Sequence, residues 1–293
     1  MTTAQKHQIT SEVKKLAILL GSGFHADGTP KTSQNKVATK AGVSSATISQ
    51  MINENWGLIK DEMWRKVKVK LRIELDWKTA QTTNLEYIYR HAEKAKEKSI
   101  SFGISYDAGA GKSQAYKLIA STMPNVIYIE CKTFWKSKSY AKALVTACGL
   151  DDYGTTEDLV ERFIDHVSGL DKPLVIIDQM DKLKDASMDF FIDFYNDLSG
   201  HCGFVLSGVP ALEKRIKRGV KADRSGYFEL WSRIGRKFLK LKPLLLIDVD
   251  KICQENGLQD LDRIETIYSN CEGDLRRVKQ DVESYFLNHK KVA

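Results

Sequence analysis

Two short stretches of this 293-residue chain carry side chains whose types and spacing could handle a phosphate chain. The first is Asp107-Ala108-Gly109-Ala110-Gly111-Lys112-Ser113, followed by Gln114, which joins an apolar run, Ile100 to Tyr106, to a helical pattern. Glycines in such a turn let backbone N–H groups face inward around phosphates, and the start of a helix adds positive potential. Lys112 would reach the β and γ phosphates and Ser113 would ligate magnesium. Asp107 to Gln114 is therefore the expected nucleotide cradle, with ATP and Mg2+ as the implied cofactors. The pattern G-x-x-x-x-G-K-[ST] is broken at its first glycine, where Tyr106 stands. The second stretch, Leu174-Val175-Ile176-Ile177-Asp178, reads as a buried strand ending in a carboxylate, and Asp178 would hold the magnesium directly or through water.

These two elements, in this order, resemble those of the AAA+ family, and the resemblance extends over residues 85 to 289. It implies a glutamate after Asp178 to polarise the attacking water, but this chain has Gln179 there. An amide orients water yet accepts protons poorly, so binding with slow hydrolysis is expected, unless the glutamine was introduced to trap the bound state. Asp181 is a substitute base or a solvated aspartate at a helix start. The same likeness puts Ser207 at the sensor-1 position, although a polar residue in a strand-end turn before Gly208 and Pro210 reads the same way. It makes Arg233 the arginine finger that enters a neighbouring subunit's site, with Arg236 as the fallback. Arg276, in Gly273-Asp274-Leu275-Arg276, becomes the sensor-2 arginine reaching from a lid. Either arginine could equally be a surface charge.

A different chemistry is written between Gln34 and Gln50. Small Ala38, Gly42 at a turn, inward Val43 and Ile48, and Ser44 as a cap have the spacing of a helix-turn-helix. Ser45, Thr47 and Gln50 would face the major groove of duplex DNA, with Lys36 and Lys40 near phosphate. The same packing residues also build protein-docking hairpins. A second nucleic-acid contact is expected at Lys132, Trp135, Lys136 and Lys138, where cations and aromatics interleave, the alternative being a solvated loop whose Trp135 packs on the sheet. The run Lys214 to Arg224 reads as a subunit-facing or solvated surface.

The elements that must position these residues follow from periodicity. Val13, Leu16, Ala17 and Leu20 mark a helix, broken by the Gly, Thr and Pro-rich segment 21–33. Helices over Gln34 to Lys40 and Ser44 to Ile52, then a stripe of Trp64, Val67 and Leu71, complete an all-helical unit. Lys78 to Asn84 looks like a connector, and Leu85, Ile88, Tyr89 and Ala92 start a helix. Strands over Ile100 to Tyr106, Val126 to Cys131, Leu174 to Asp178, Phe204 to Ser207 and Phe238 to Leu241 then occur among helices over Ser113 to Met123, Ser139 to Cys148, Glu157 to Val167 and Ser187 to Leu198. That alternation specifies an α/β fold with a parallel sheet covered on both faces. Residues 248–289 are helical, interrupted at Gly257 and Gly273. The expected organisation is 1–80 helix-turn-helix domain, 81–243 P-loop core and 244–293 helical lid.

Composition sets the class of partner. The net charge is +7 with a pI near 9.0, and residues 1–80 hold thirteen Lys and Arg against seven Asp and Glu, a balance suited to phosphate backbones. Five scattered cysteines without a C-x-x-C pair argue against a disulfide framework or zinc site. No signal peptide and no bilayer-length apolar run occurs, so a cytoplasmic protein without a membrane partner is expected.

A helix-turn-helix ahead of one compact AAA+ module and a short lid, at this length, resembles the transposition target-selection ATPases, the Mu-type B protein and its TnsC relatives. The resemblance implies ATP-driven assembly of a head-to-tail filament on double-stranded DNA, recruitment and activation of a transposase, and disassembly on hydrolysis. Other readings are a replication initiator or helicase loader, and a nucleotide-gated helix-turn-helix transcription regulator.

Overall fold

The computed structural model describes residues 1–21 and 31–289. Residues 22–30 of the Gly, Thr and Pro-rich break, and 290–293 of the lid, lie outside the described residues.

Helices α1 (Thr3–Leu20), α2 (Gln34–Ala41), α3 (Ser45–Ile52) and α4 (Asp61–Leu71) form the N-terminal unit. Their apolar stripes close on a core of Val13, Ala17, Val37, Ile48, Met51, Trp64 and Val67. Trp64 is fully buried there, the kind of large apolar burial that gives a unit of this size most of its stability. Ser44 caps α3 by accepting the Thr47 amide, which closes the turn at Gly42 between α2 and α3.

The chain then enters α5 (Thr83–Lys98), which leads into β1 (Ser101–Ser105), α6 (Lys112–Thr122), β2 (Val126–Glu130), α7 (Ser137–Ala147), α8 (Thr156–Ser168) and β3 (Leu174–Asp178). Next come α9 (Asp185–Met188), α10 (Phe190–Asp197), β4 (Gly203–Gly208), α11 (Pro210–Lys221), α12 (Tyr227–Arg233) and β5 (Phe238–Leu239). The strands form one sheet in the order β2-β3-β4-β1-β5, and every pairing is parallel. Strands β3 and β4 are buried along their whole length, as continuous apolar runs at the middle of a two-sided sheet must be. One face is covered by α5 and α6 through Leu85, Ile88, Tyr116 and Ile119. The other is covered by α7, α8, α10, α11 and α12 through Tyr140, Leu144, Phe163, Phe194, Ile216 and Leu230. This is the α/β parallel-sheet fold expected from the alternation.

Three details bear on the sequence reading, the second in agreement with it. The helix expected over Ser187 to Leu198 is two pieces, because the ladder tightens at Asp189, whose carbonyl accepts from the Ile192 amide at 2.8 Å. The basic run Lys214 to Arg224 lies on α11 and the turn after it, where Leu212 and Ile216 are buried while Lys214, Lys217 and Arg218 are exposed. The supposed connector is strapped down: Ala80 and Trp77 enter the lid core, and Asn256 bonds both the amide and the carbonyl of Lys78, at 2.9 and 3.1 Å.

The lid is α13 (Leu246–Glu255), α14 (Leu261–Asn270) and α15 (Leu275–His289), packed around Val249, Ile252, Ile264, Ile267, Val278 and Val282. Asp248, 1% exposed, fixes it to α5: its Oδ1 accepts from the Thr83 amide at 2.7 Å and the Thr83 hydroxyl at 2.9 Å.

Candidate nucleotide site and nucleic-acid face

In a parallel sheet, the crevice at the carboxyl ends of the strands is where backbone turns and helix starts converge. Strand order brings the ends of β1, β4 and β3 side by side, and register pairs Glu130 with Asp178 and Ile104 with Ser207. The loop after β1 therefore faces Asp178 and Ser207. Gly109 and Gly111 both take positive φ, 85° and 83°, which turns the loop around an empty centre and hands it to α6. Tyr106, at the missing glycine, packs its side chain against the α5 and α6 core.

Lys112 is buried, and its ammonium donates to the carbonyls of Tyr106 and Asp107, both at 2.7 Å. Burial lowers its pKa, opposed by Asp178, Asp107 and Asp181. Phosphate oxygens are stronger acceptors than those carbonyls, so the amine is placed to exchange one set for the other. The Ser113 hydroxyl donates to Asp178 Oδ2 at 2.5 Å. Asp178 is 1% exposed, and burial raises its pKa against the hydrogen bonds that favour the charged form. A buried carboxyl beside a hydroxyl, in no salt bridge among the described residues, fits a magnesium ion held by Ser113 and Asp178. Ser207 is fully buried beside Asp178 and Tyr116, and its hydroxyl reaches neither in full hydrogen-bond geometry. An orphaned polar atom next to Asp178 is what a missing phosphate or water would satisfy. The residues present thus fit a magnesium nucleotide.

Gln179 sits in left-handed backbone, φ 57° and ψ 38°, with its amide N–H on Asp178 Oδ1 at 2.9 Å. Its side-chain nitrogen donates to Glu130 Oε1 at 2.9 Å, and its oxygen accepts from Lys182. Asp181 accepts the Val209 amide at 3.2 Å and so ties the β3 loop to the end of β4. It also lies in the 3-10 turn Met180–Lys182 and lines the cleft.

The lid closes the cleft from the other side. The Leu275 amide donates to the Gly109 carbonyl at 3.0 Å, and a Cβ on Gly109 would lie 2.2 Å from the Asp274 carboxylate. Arg276 is exposed and lines the cleft together with Asp178, Gln179, Lys182 and Lys279. The cleft holds about 490 Å³, large enough for a nucleotide. Sequence reasoning missed its outer wall. Trp77, just before the segment read as a connector, and Thr79 within it line it; Thr79 Oγ1 accepts from Gln114 at 2.8 Å, and Lys279 lies 5.0 Å from the Trp77 ring. A tryptophan and an alanine within a polar stretch were the available signal.

Four residues lie elsewhere than their expected roles require. Arg233 is half-buried and held inside its own subunit, donating to Asn196 at 2.7 Å, pairing with Glu229 at 3.0 Å and stacked 5.5 Å from Tyr195. Arg236, by contrast, is exposed, 5.2 Å from the Phe228 ring. Lys40 donates to the Ala147 carbonyl at 2.9 Å, and burial lowers its pKa. Lys36 lies against Gly149, where a Cβ would come within 2.5 Å of it. The first helix of the helix-turn-helix is therefore docked on the end of α7, and these two lysines face the P-loop domain. Trp135 packs on the core beside Tyr140, 6.4 Å between ring centroids, while Phe134 is the aromatic left 77% exposed. Lys132, Lys136 and Lys138 are exposed, as is Ser45 on α3; Thr47 and Gln50 are half-buried.

Residues 107–216, the stretch that carries the loop after β1, Asp178 and Ser207, match the AAA domain family. No curated protein matches the chain. Among solved structures, the chain is similar to the Aeropyrum pernix Orc1 protein in complex with DNA, with a TM-score of 0.53 and 16% identity over 71% of this chain. The chain spans 60% of the length of that structure, and at this identity the likeness is one of fold. Among the described residues no helix is long and apolar enough to cross a membrane.

Proposed function

We propose that this chain is an ATP-dependent DNA-binding protein of DNA transposition, which assembles head to tail on duplex DNA and there recruits and activates a transposase. The observation that supports the assembly step is the cleft's shortage of arginines, its other cations being Lys112, Lys117, Lys182 and Lys279. Among the described residues lining it, Arg276 is the only arginine. Arg233 is retained by Asn196 and Glu229, whereas Arg236 is free at the surface. A second copy that presented Arg236 would supply the missing guanidinium against the γ-phosphate, and nucleotide binding would then join subunits. Magnesium held by Ser113 and Asp178 would neutralise charge between the β and γ phosphates. The exposed end of α3 is left to meet DNA, together with Lys132, Lys136 and Lys138. Gln179, an amide in place of a carboxylate, makes hydrolysis slow and assembly long-lived. Five buried free thiols suit a cytoplasmic setting.

The fold likeness to an Orc1 protein solved with DNA favours a second reading, a replication initiator or helicase loader. Nuclease footprinting tests the proposal. With ATP, long and sequence-independent protection is expected, and it disappears in Lys112→Ala. Protection of one defined site irrespective of ATP would sink it and point to a site-specific regulator.

A further inference from the structure

A chain of side chains runs from the N-terminal unit into the nucleotide site. Arg72 caps α4 in left-handed backbone, φ 57°, and its guanidinium leaves that unit to pair with Glu130 Oε2 at the end of β2. The guanidinium also lies 5.6 Å from the ring of Tyr128, whose hydroxyl donates to Asp178 Oδ2 at 3.3 Å. Glu130 uses its other oxygen to hold the Gln179 amide, and Lys182 holds the amide's far end. An amide fixed at both ends is unable to turn and follow a water molecule.

We propose that Arg72 is a positioning residue of the ATP site: the docked N-terminal unit uses it to hold Glu130, and through Glu130 the Gln179 amide, in a clasped, slow arrangement that duplex DNA releases. The release follows from placement. Lys40, expected near phosphate, spends its ammonium on the Ala147 carbonyl, and the stem of Lys36 is packed against Gly149 in the same contact. Lys40 serves either that contact or a DNA backbone, so DNA engagement by this unit competes with docking and withdraws Arg72. The Arg72 to Glu130 pair is partly exposed, 38% and 28%, which makes it a weak tie that a competing partner can break. This inference rests on the reading of the chain as a DNA-dependent ATPase.

The test is ATP turnover of the full chain with and without duplex DNA, alongside titration with a fluorescent ATP analogue. Arg72→Asn keeps a residue tolerant of left-handed backbone. Its turnover without DNA is expected to rise about three- to tenfold, with nucleotide affinity unchanged and stimulation by DNA largely lost. Arg72→Lys, which keeps the charge, should behave as the parent. Should Arg72→Asn melt early, Glu130→Gln leaves α4 untouched and should raise turnover in the same way. A variant that folds and binds nucleotide, yet turns over at or below the parent rate with full DNA stimulation, overturns the clasp alone. Failure of the parent protein to bind the analogue overturns the ATPase reading and the clasp with it.

Discussion

Two helical units flank the P-loop domain, and they are attached by different means. The lid is bound through backbone and buried groups: the Leu275 amide on the Gly109 carbonyl, Asp248 on Thr83, and Ala80 within its core. The N-terminal unit is bound mainly through the ends of long polar side chains, Lys40 on Ala147 and Arg72 on Glu130. Contacts of the first kind leave unsatisfied groups when broken, which costs more than breaking the partly exposed Arg72 to Glu130 pair; the more buried Lys40 to Ala147 bond is the firmer of the two that hold the N-terminal unit. By these contacts the lid is held more firmly over the cleft than the N-terminal unit is held on the sheet, a difference the proposed clasp requires.

The comparison yields effects of graded size. The largest is at the seam between lid and P-loop. Gly109→Ala combines a residue disfavoured at φ 85° with a clash against Asp274, so nucleotide affinity is expected to fall by about two orders of magnitude, read by titration. Affinity within threefold of the parent would mean the seam is loose. Next, Asp248→Ala removes the acceptor of two Thr83 donors and should cost about 2 kcal/mol, seen as a lowered melting temperature; an unchanged melt would make the lid contact as weak as the other. Lys40→Ala should leave the melt of the P-loop domain alone, shift it by less than about 1 kcal/mol, and show instead as faster proteolysis of α2.

The smallest effect is one of pH. Burial, with Lys36 nearby, lowers the His166 pKa to about 4 from 6.5. Because the folded value is the lower one, the neutral ring's contribution is fully present above pH 6.5 and is lost as pH falls toward 4. Hydrogen exchange of α2 should therefore quicken over that window, and less so in His166→Gln. Identical profiles for the two proteins would remove His166 from the docking contact.

What the sequence made legible was local. Gly109 to Ser113 lie consecutively between a strand and a helix, and Leu174 to Asp178 form one buried strand, so both could be read without knowing the sheet order. The helix-turn-helix was legible for the same reason, since Ala38, Gly42 and Ile48 specify packing within the motif. They say nothing about which outer face docks, and Lys36 and Lys40 consequently turned up against α7. Arg72 and Glu130 are 58 residues apart and meet only because β2 is the edge strand beside the N-terminal unit. The fate of Arg233 likewise depended on Asn196 and Glu229 from two different helices.

The central claim is that a nucleotide joins copies of this chain along a double helix, and electron microscopy of the protein with duplex DNA, with and without ATP, addresses it most directly. With ATP the account predicts continuous protein-coated stretches of DNA, and without it bare duplex. Isolated monomers or closed rings under both conditions would contradict it.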